Sequence, residues 1–209
     1  MITDRRRLGP DGAAHVAGRA AVAARAGVHL VQIRERDLDG GAALRLVAGC
    51  VAAVRGTRTR ILVNERIDVA LAAGAHGVHL RADSVPASRV RRIVPPGFLI
   101  GRSVHSMEET LRATADGGVD YLLFGTVFPT ASKPGQAAAG TDALAEIVRA
   151  TPLPVIAVGG VTVATAPAVA RAGAAGVAAI ALFAADSDDL VRVAVSHVIS
   201  AFDTPAGVP

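Results

Sequence analysis

Lysine is almost missing from this chain. Of its 22 basic residues only Lys133 is a lysine, and every other one is an arginine. Arginine serves at nearly any solvated position, so the single ammonium marks a place that wants a compact point charge with three rotatable donors rather than a planar fork. Lys133 sits in the loop Thr130-Ala131-Ser132-Lys133-Pro134-Gly135, directly after the apolar run Tyr121 to Phe128. A lysine set among loop amides and hydroxyls is a frequent grip for phosphate or pyrophosphate. Cysteine is equally scarce. Cys50 stands alone, which excludes an internal disulfide, and its spacing from Leu44, Val47, Val51 and Val54 puts it on the core side of a helix. Tryptophan is absent, aromatic residues make up 3% of the chain, and apart from Arg5 to Arg7 the arginines are scattered. With no basic patch interleaved by aromatics, nucleic acid is excluded as the expected partner. No apolar run approaches the roughly 20 residues of a membrane span, so no membrane partner is expected. The charged start, Met1 to Arg7, has no apolar stretch before the alanine-rich segment 13–26, which argues against a secretory leader and for a cytoplasmic location. His15, His29, His76 and His197 do not recur at metal-ligand spacing, so zinc is not expected.

What the chain has in abundance is alanine, glycine and short aliphatic runs, with 51% hydrophobic residues and 22 glycines, enough for one substantial core. One phrase recurs: an alanine-rich helical stretch ends in Ala-Gly or Gly-Gly and runs into a β-branched apolar run. It is found at Ala24 to Val31, Ala70 to Leu80, Ala113 to Phe124 and Ala170 to Leu182. Each reads as a helix, a glycine stop and a buried strand. With the runs at Ile61 to Asn64, Phe98 to Ser103 and Pro154 to Val158, strands are expected near 28–34, 60–64, 76–80, 98–103, 120–125, 154–158 and 175–182, and an eighth at Met1 to Asp4. Alternating βα units give parallel strands joined by right-handed crossovers. The expected fold is therefore α/β, a (β/α)8 TIM barrel forming a single domain over residues 1–209, with a shortened first strand. A doubly wound open sheet is the alternative. Against it, no Gly-x-Gly-x-x-Gly follows the first strand, and polar residues collect at many strand ends rather than at one switch point.

Barrel active sites are built where strands end. The strand ends here carry Gln32-Ile33-Arg34-Glu35-Arg36, Asn64-Glu65-Arg66, His79-Leu80-Arg81-Ala82-Asp83-Ser84 and Gly101-Arg102-Ser103-Val104-His105-Ser106. They continue with Thr126 and the Lys133 loop, then Gly159-Gly160, then Ile180-Ala181 before the acidic, small-residue stretch 184–189. The last two loops have the composition of a barrel phosphate cradle, where backbone amides approach an anion.

These strings resemble, in this order, the thiamine phosphate synthase and TenI family: Gln32-x-Arg34-x-Arg36, Asn64-x-Arg66-x-Asp68-x-Ala70, Gly77-Val78-His79-Leu80, Gly101 to Ser106, Phe128-Pro129-Thr130-x-Ser132-Lys133 and Ile156 to Val161. The resemblance covers nearly the whole chain and implies a (β/α)8 barrel acting on phosphorylated pyrimidine and thiazole substrates. It implies that hydroxymethylpyrimidine pyrophosphate is joined to hydroxyethylthiazole phosphate with release of pyrophosphate and the help of magnesium. By the same resemblance Arg34, Arg36, Asn64 and Lys133 bind the pyrophosphate, with Arg36 in a lysine's place. Thr130, Ser132, Gly159 and Gly160 take the thiazole phosphate, and Ser103 and Lys133 serve the reacting centre, with Ile180 and Ala181 as further substrate-binding residues. Synthases carry Asn-Asp and a further aspartate as magnesium ligands. Here the first position is Glu65, while the second falls on Ser84 with Asp83 one residue early, so Glu65 and Asp83 are the expected Mg²⁺ ligands.

Two alternatives stay open. The strings Gly101 to Ser106 and Tyr121 to Gly135 look like TenI, some members of which are thiazole tautomerases with a histidine where this chain has Thr126. Threonine is no general base near neutral pH, which leaves His105 or His79 for that role. The other alternative is a non-catalytic binder of thiazole phosphate. Glu35, alternating away from Arg34 and Arg36, is expected to be an ion-pair partner between barrel and helix rather than an acid. Arg66 and Asp68 are expected to pair locally and orient Asn64. Arg81 replaces a family glycine, either adding charge for a phosphate or blocking the site. Because Ile2-Thr3-Asp4-Arg5 begins so near the first residue, the open barrel edge calls for a homodimer partner or a longer N-terminus.

Overall fold

The computed structural model describes residues 1–8, 12–130, 135, 137–183 and 187–203. Its elements alternate: α1 (Gly12–Arg25), β1 (Leu30–Ile33), α2 (Gly40–Ala53), β2 (Arg60–Asn64), α3 (Ile67–Ala72), β3 (Gly77–Leu80), α4 (Ala87–Arg91) and β4 (Leu99–Val104). These are followed by α5 (Met107–Asp116), β5 (Tyr121–Phe124), α6 (Gly140–Arg149), β6 (Val155–Val158), α7 (Ala166–Arg171), β7 (Gly176–Ala178) and α8 (Asp188–Asp203). The seven strands belong to one sheet whose order follows the chain, β1 to β7. A doubly wound sheet reverses its order at a switch point, and this one never does. The chain order with parallel pairing is that of the (β/α)8 class.

Internal contacts divide the chain into two compact units. The first takes in Met1–His79, Val94–Leu99 and Ile180–Ser196. Its strands β1 and β2 pair in register from Leu30 against Arg60 to Ile33 against Val63, and β2 meets β3 with Asn64 opposite His79. Val31, Ile61, Leu62 and Val78 are fully buried, as are Val16, Ala20 and Ala23 of α1 and Val47 and Cys50 of α2. Their three-and-four spacing is the apolar stripe that sequence periodicity marks. Asp39 opens α2 by accepting the Ala42 N–H at 2.8 Å.

The second unit holds Leu80–Ile93, Ile100–Ala179 and the chain from His197. Here β4 pairs with β5 (Ser103 opposite Leu123), β5 with β6 and β6 with β7, around the buried Ile100, Leu122, Phe124 and Ala157. Ser106 caps α5 by accepting the Glu109 N–H at 3.2 Å, while the Glu109 carboxylate reaches back to the His105 N–H at 2.6 Å. That reciprocal arrangement satisfies two backbone donors at once.

Two expected strands lose most of their length. The eighth, at Met1 to Asp4, is a single parallel bridge from Ile2 to Gln32, flanked by Thr3 N–H to Gln32 O at 3.0 Å and Gln32 N–H to Met1 O at 2.9 Å. The strand expected over 175–182 ends at Ala178 and is followed by a 3₁₀ turn, Ala181–Phe183, closed by Phe183 N–H on Ile180 O at 3.0 Å. Alanine packs poorly on a pleated surface, so the run Ala178-Ala179-Ile180-Ala181 does not hold an extended conformation past its partner Val158.

Candidate active site

In the first unit the ends of β1 and β2 are tied together by side chains. Gln32 Nε2 donates to Asn64 Oδ1 at 3.0 Å, so it is Gln32, not the expected Arg66–Asp68 pair, that orients Asn64. Arg66 and Asp68 do pair, at 2.6 Å, and the Arg66 hydrogen bond holds the exposed Asp68 carboxyl down at about 2. His79, opposite Asn64 in the register, is buried. The Arg34 N–H donates to Thr3 Oγ at 2.9 Å, which fixes where the segment leaves β1.

Along Arg34-Glu35-Arg36-Asp37 the charges are sorted. Arg5 donates its N–H to both Glu35 oxygens at 3.1 and 3.2 Å and its guanidinium to Asp37 at 2.5 and 2.7 Å, and Arg6 adds a contact to Asp37 at 3.1 Å. The Arg5 hydrogen bond is the main reason the Asp37 carboxyl titrates well below its usual range. Glu35 is thus the ion-pair partner its alternation implied, joined to the 3₁₀ turn Arg5–Leu8. Among the described residues the ion pairs of this segment run through Glu35 and Asp37, and none runs through Arg34 or Arg36. Arg34 is half-buried, and its pKa is lowered first by that burial and then by the neighbouring charge of Arg36. The charges of Asp4 and Glu35 offset part of this without forming an ion pair to Arg34, and two guanidiniums so placed attract an anion.

Glu65 has a left-handed backbone, φ 66°, the only non-glycine among the described residues to do so. Arg66 N–H bonds back to Asn64 O at 2.8 Å and Ile67 N–H to Glu65 O at 2.9 Å, giving two successive three-residue turns. The turn centred on a residue with positive φ is the rare, strained kind. Ile180 and Ala181 lie at the start of the 3₁₀ turn after β7.

In the second unit the loop after β3 is closed by Arg81 N–H to Ser84 Oγ at 2.9 Å and by Ser84 N–H to Arg81 O at 3.2 Å. The Arg81 guanidinium takes Asp83 at 2.6 Å. From β4 the Arg102 guanidinium spans the same loop, donating to the carbonyls of Ala82 (3.1 Å), Ser84 (2.8 Å) and Val85 (2.8 Å). Ser103 follows it, half-buried. The His105 Nδ1 contacts Gly125 O, and since a carbonyl only accepts, that nitrogen is the donor and Nε2 is the one left without this partner.

After β5 the chain runs beside the end of β6, with Val127 N–H on Val158 O and Phe128 N–H on Gly159 O, both at 3.0 Å. Gly159 (φ 97°) and Gly160 (φ 64°) are both left-handed. A β-carbon on Gly159 would lie 2.6 Å from Thr126 Cγ2, and one on Gly160 would lie 2.4 Å from Pro129 O. Only glycine allows backbone to come this close. The structure therefore brings Gly159 and Gly160 against the segment leading to the half-buried Thr130. Ser132 and Lys133 lie outside the described residues.

Sequence reasoning passed over Gln32, Arg5, Arg6 and Arg102 as site residues. Gln32 and Arg102 carried a signal, each a polar residue inside an apolar strand. Arg5 and Arg6 carried none, because their partners stand about 30 positions further on.

Strands that follow the chain order in one parallel sheet, alternating with helices, define an α/β protein of the barrel class. A model of the family described as thiamine monophosphate synthase matches residues 1–183. The thiamine-phosphate synthase of Roseiflexus sp. (strain RS-1) is 38% identical over 209 residues, covering 99% of this chain and 87% of that protein. The thiamine-phosphate synthase of Roseiflexus castenholzii is 40% identical over 86% of this chain and 78% of its own. Among solved structures, thiamine phosphate pyrophosphorylase from Pyrococcus furiosus superposes with a TM-score of 0.83 at 31% identity, covering 99% of this chain and 95% of that one. The chain belongs to the thiamine monophosphate synthase family.

Proposed function

We propose that this chain joins hydroxymethylpyrimidine pyrophosphate to hydroxyethylthiazole phosphate, releasing pyrophosphate, as a step of thiamine biosynthesis. The observation that carries this reading is the pair Arg34 and Arg36, neither of which forms an ion pair among the described residues while Glu35 and Asp37 are bound by Arg5 and Arg6. In the reaction the pyrimidine methylene C–O bond breaks, pyrophosphate leaves with the electron pair, and the thiazole nitrogen forms the new C–N bond. Such chemistry needs leaving-group stabilisation and positioning more than a base. Arg34, Arg36, Asn64 and Lys133 hold the pyrophosphate, and Lys133 and Ser103 serve the reacting centre. Thr130, Ser132, Gly159 and Gly160 receive the thiazole phosphate, and Ile180 and Ala181 are further substrate-binding residues.

Glu65 and Asp83 are the carboxylates we assign to Mg²⁺. Among the described residues no group of three or more His, Cys, Asp or Glu side chains forms a metal cage. Mg²⁺ at a pyrophosphate needs none, since one or two carboxylates, water and substrate oxygens complete its shell, and a carboxylate such as Glu65 or Asp83 is a hard-oxygen donor of the kind it takes. When bound, the ion neutralises charge on the leaving group. Asp83 shares its carboxylate with Arg81. The same reading includes a cytoplasmic location, small phosphorylated substrates as partners and one domain over residues 1–209. The test is to incubate purified protein with both precursors, omitting each in turn and Mg²⁺ in a fourth reaction, and to oxidise any thiamine phosphate to its fluorescent thiochrome. Product only in the complete reaction supports the reading, and none in any reaction sinks it.

One observation favours a second reading, a thiazole tautomerase of the TenI kind. His105, with Nδ1 committed to Gly125 O, offers Nε2 as a base beside Thr126, where a tautomerase histidine stands. Isomerisation of a thiazole carboxylate phosphate that His105→Gln abolishes would support it, and isomerisation at the wild-type rate would dismiss it.

A further inference from the structure

The segment that carries Arg34 and Arg36 is held in place by residues that touch neither guanidinium. Thr3 Oγ accepts the Arg34 N–H, and the Arg5 N–H caps both oxygens of Glu35. The Arg5 guanidinium then spans Glu35 at 3.3 Å and Asp37 at 2.5 Å. Glu35 is 4% exposed and Arg5 20%, so the Arg5–Glu35 contact is sheltered, whereas Asp37 and its contacts to Arg5 and Arg6 stand in solvent. A carboxylate this buried is costly without its partner. Were Arg5 absent, Asp37 would keep Arg6, and the cations nearest Glu35 along the chain are Arg34 and Arg36.

We propose that Arg5 is a positioning residue for the anion site: by taking up Glu35 and Asp37 it fixes the Arg34–Arg36 segment and keeps those carboxylates from competing with the pyrophosphate group for the two guanidiniums. The proposal rests on the reading of Arg34 and Arg36 as pyrophosphate ligands, and it adds a residue about 30 positions upstream to that site. It separates two charge roles within one short stretch. Arg5 and Arg6 serve the protein's own carboxylates, while Arg34 and Arg36 serve the ligand.

The experiment measures binding of inorganic pyrophosphate with Mg²⁺, and of hydroxyethylthiazole phosphate, by titration calorimetry, together with thermal midpoints. Arg34→Met is the control for the underlying reading. Arg5→Met is expected to weaken pyrophosphate on the order of tenfold, through a displaced segment and an internal competitor. Thiazole phosphate affinity stays at its wild-type value. Adding Glu35→Gln to Arg5→Met removes the competing charge while leaving an oxygen for the Arg5 N–H, and is expected to recover a large part of the lost affinity. If Arg5→Met does not fold, Arg5→Lys keeps the charge but cannot bridge both carboxylates, and an intermediate loss is expected. Three results overturn the proposal: unchanged pyrophosphate affinity in the folded Arg5 variant, equal loss for both ligands alongside a lowered midpoint, or no recovery in the double variant. If Arg34→Met also binds pyrophosphate as the wild type does, the functional reading itself has failed, and this inference with it.

Discussion

Glu65 concentrates a structural cost and a proposed function at one residue. Its φ of 66° is a conformation that asparagine, aspartate and glycine tolerate and glutamate does not favour. Glu65→Asn is expected to raise stability by about 0.5–1 kcal/mol, part of the strain such a residue stores, and to raise the Mg²⁺ concentration needed for half-maximal turnover. Urea denaturation and a magnesium titration read the two effects, and a variant that is both destabilised and unaltered toward Mg²⁺ contradicts them. Cys50 is a second residue whose environment makes a prediction. Burial is the main cause that pushes its thiol from an ordinary value near 9 up to about 12, so the fold favours the neutral form. Stability from this group is fully present below about 9 and is lost as pH rises from there toward about 12. Buried Tyr121 is shifted in the same direction by burial, so the difference between wild type and Cys50→Ala is the useful quantity. Their stability gap should narrow as pH rises through that window, and a constant gap contradicts the assignment. At this scale little of the site was legible beyond residue type. The sorting of Glu35 and Asp37 away from Arg34 and Arg36 depends on contacts with Arg5 and Arg6, which no local pattern encodes.

Elements were easier to read, for a physical reason. Strands of a parallel sheet are buried on both faces, so they appear as unbroken aliphatic runs such as Ile61-Leu62-Val63 and Tyr121 to Phe124, bounded by the glycines that stop the preceding helices. Where composition blurs that contrast, the boundary was lost. Alanine supports helix and tolerates strand, and the stretch after Ala178 became a 3₁₀ turn. At the N-terminus Ile2 makes one bridge in place of a full strand. The start of α5 shows how a strand end is handed to a helix at the site. Ser106 and Glu109 cap it, and His105 lies between the cap and β4. Ser106→Ala is expected to cost about 1 kcal/mol, the usual worth of an N-cap, in a denaturation midpoint. A loss below a few tenths of that contradicts the capping argument.

For the molecule, the order of the sheet and the membership of the family agree: the alternation of apolar runs and glycine stops underlies the first, and the matching family model and relatives show the second. Its stability rests on residues such as Leu122, fully buried on β5, where Leu122→Ala should cost about 2–5 kcal/mol by chemical denaturation. Among the described residues no helix is long and apolar enough to cross a membrane. The proposed role of the β1 end is catalytic: Arg34 and Arg36 are proposed to help pyrophosphate leave while a thiazole phosphate is joined to the pyrimidine. Its most direct measurement follows thiamine phosphate and pyrophosphate together over time from the two precursors with Mg²⁺. The account predicts that both accumulate in equal amounts and that Arg34→Met slows both alike. Pyrophosphate released without thiamine phosphate, or an Arg34→Met protein as active as the wild type, would contradict it.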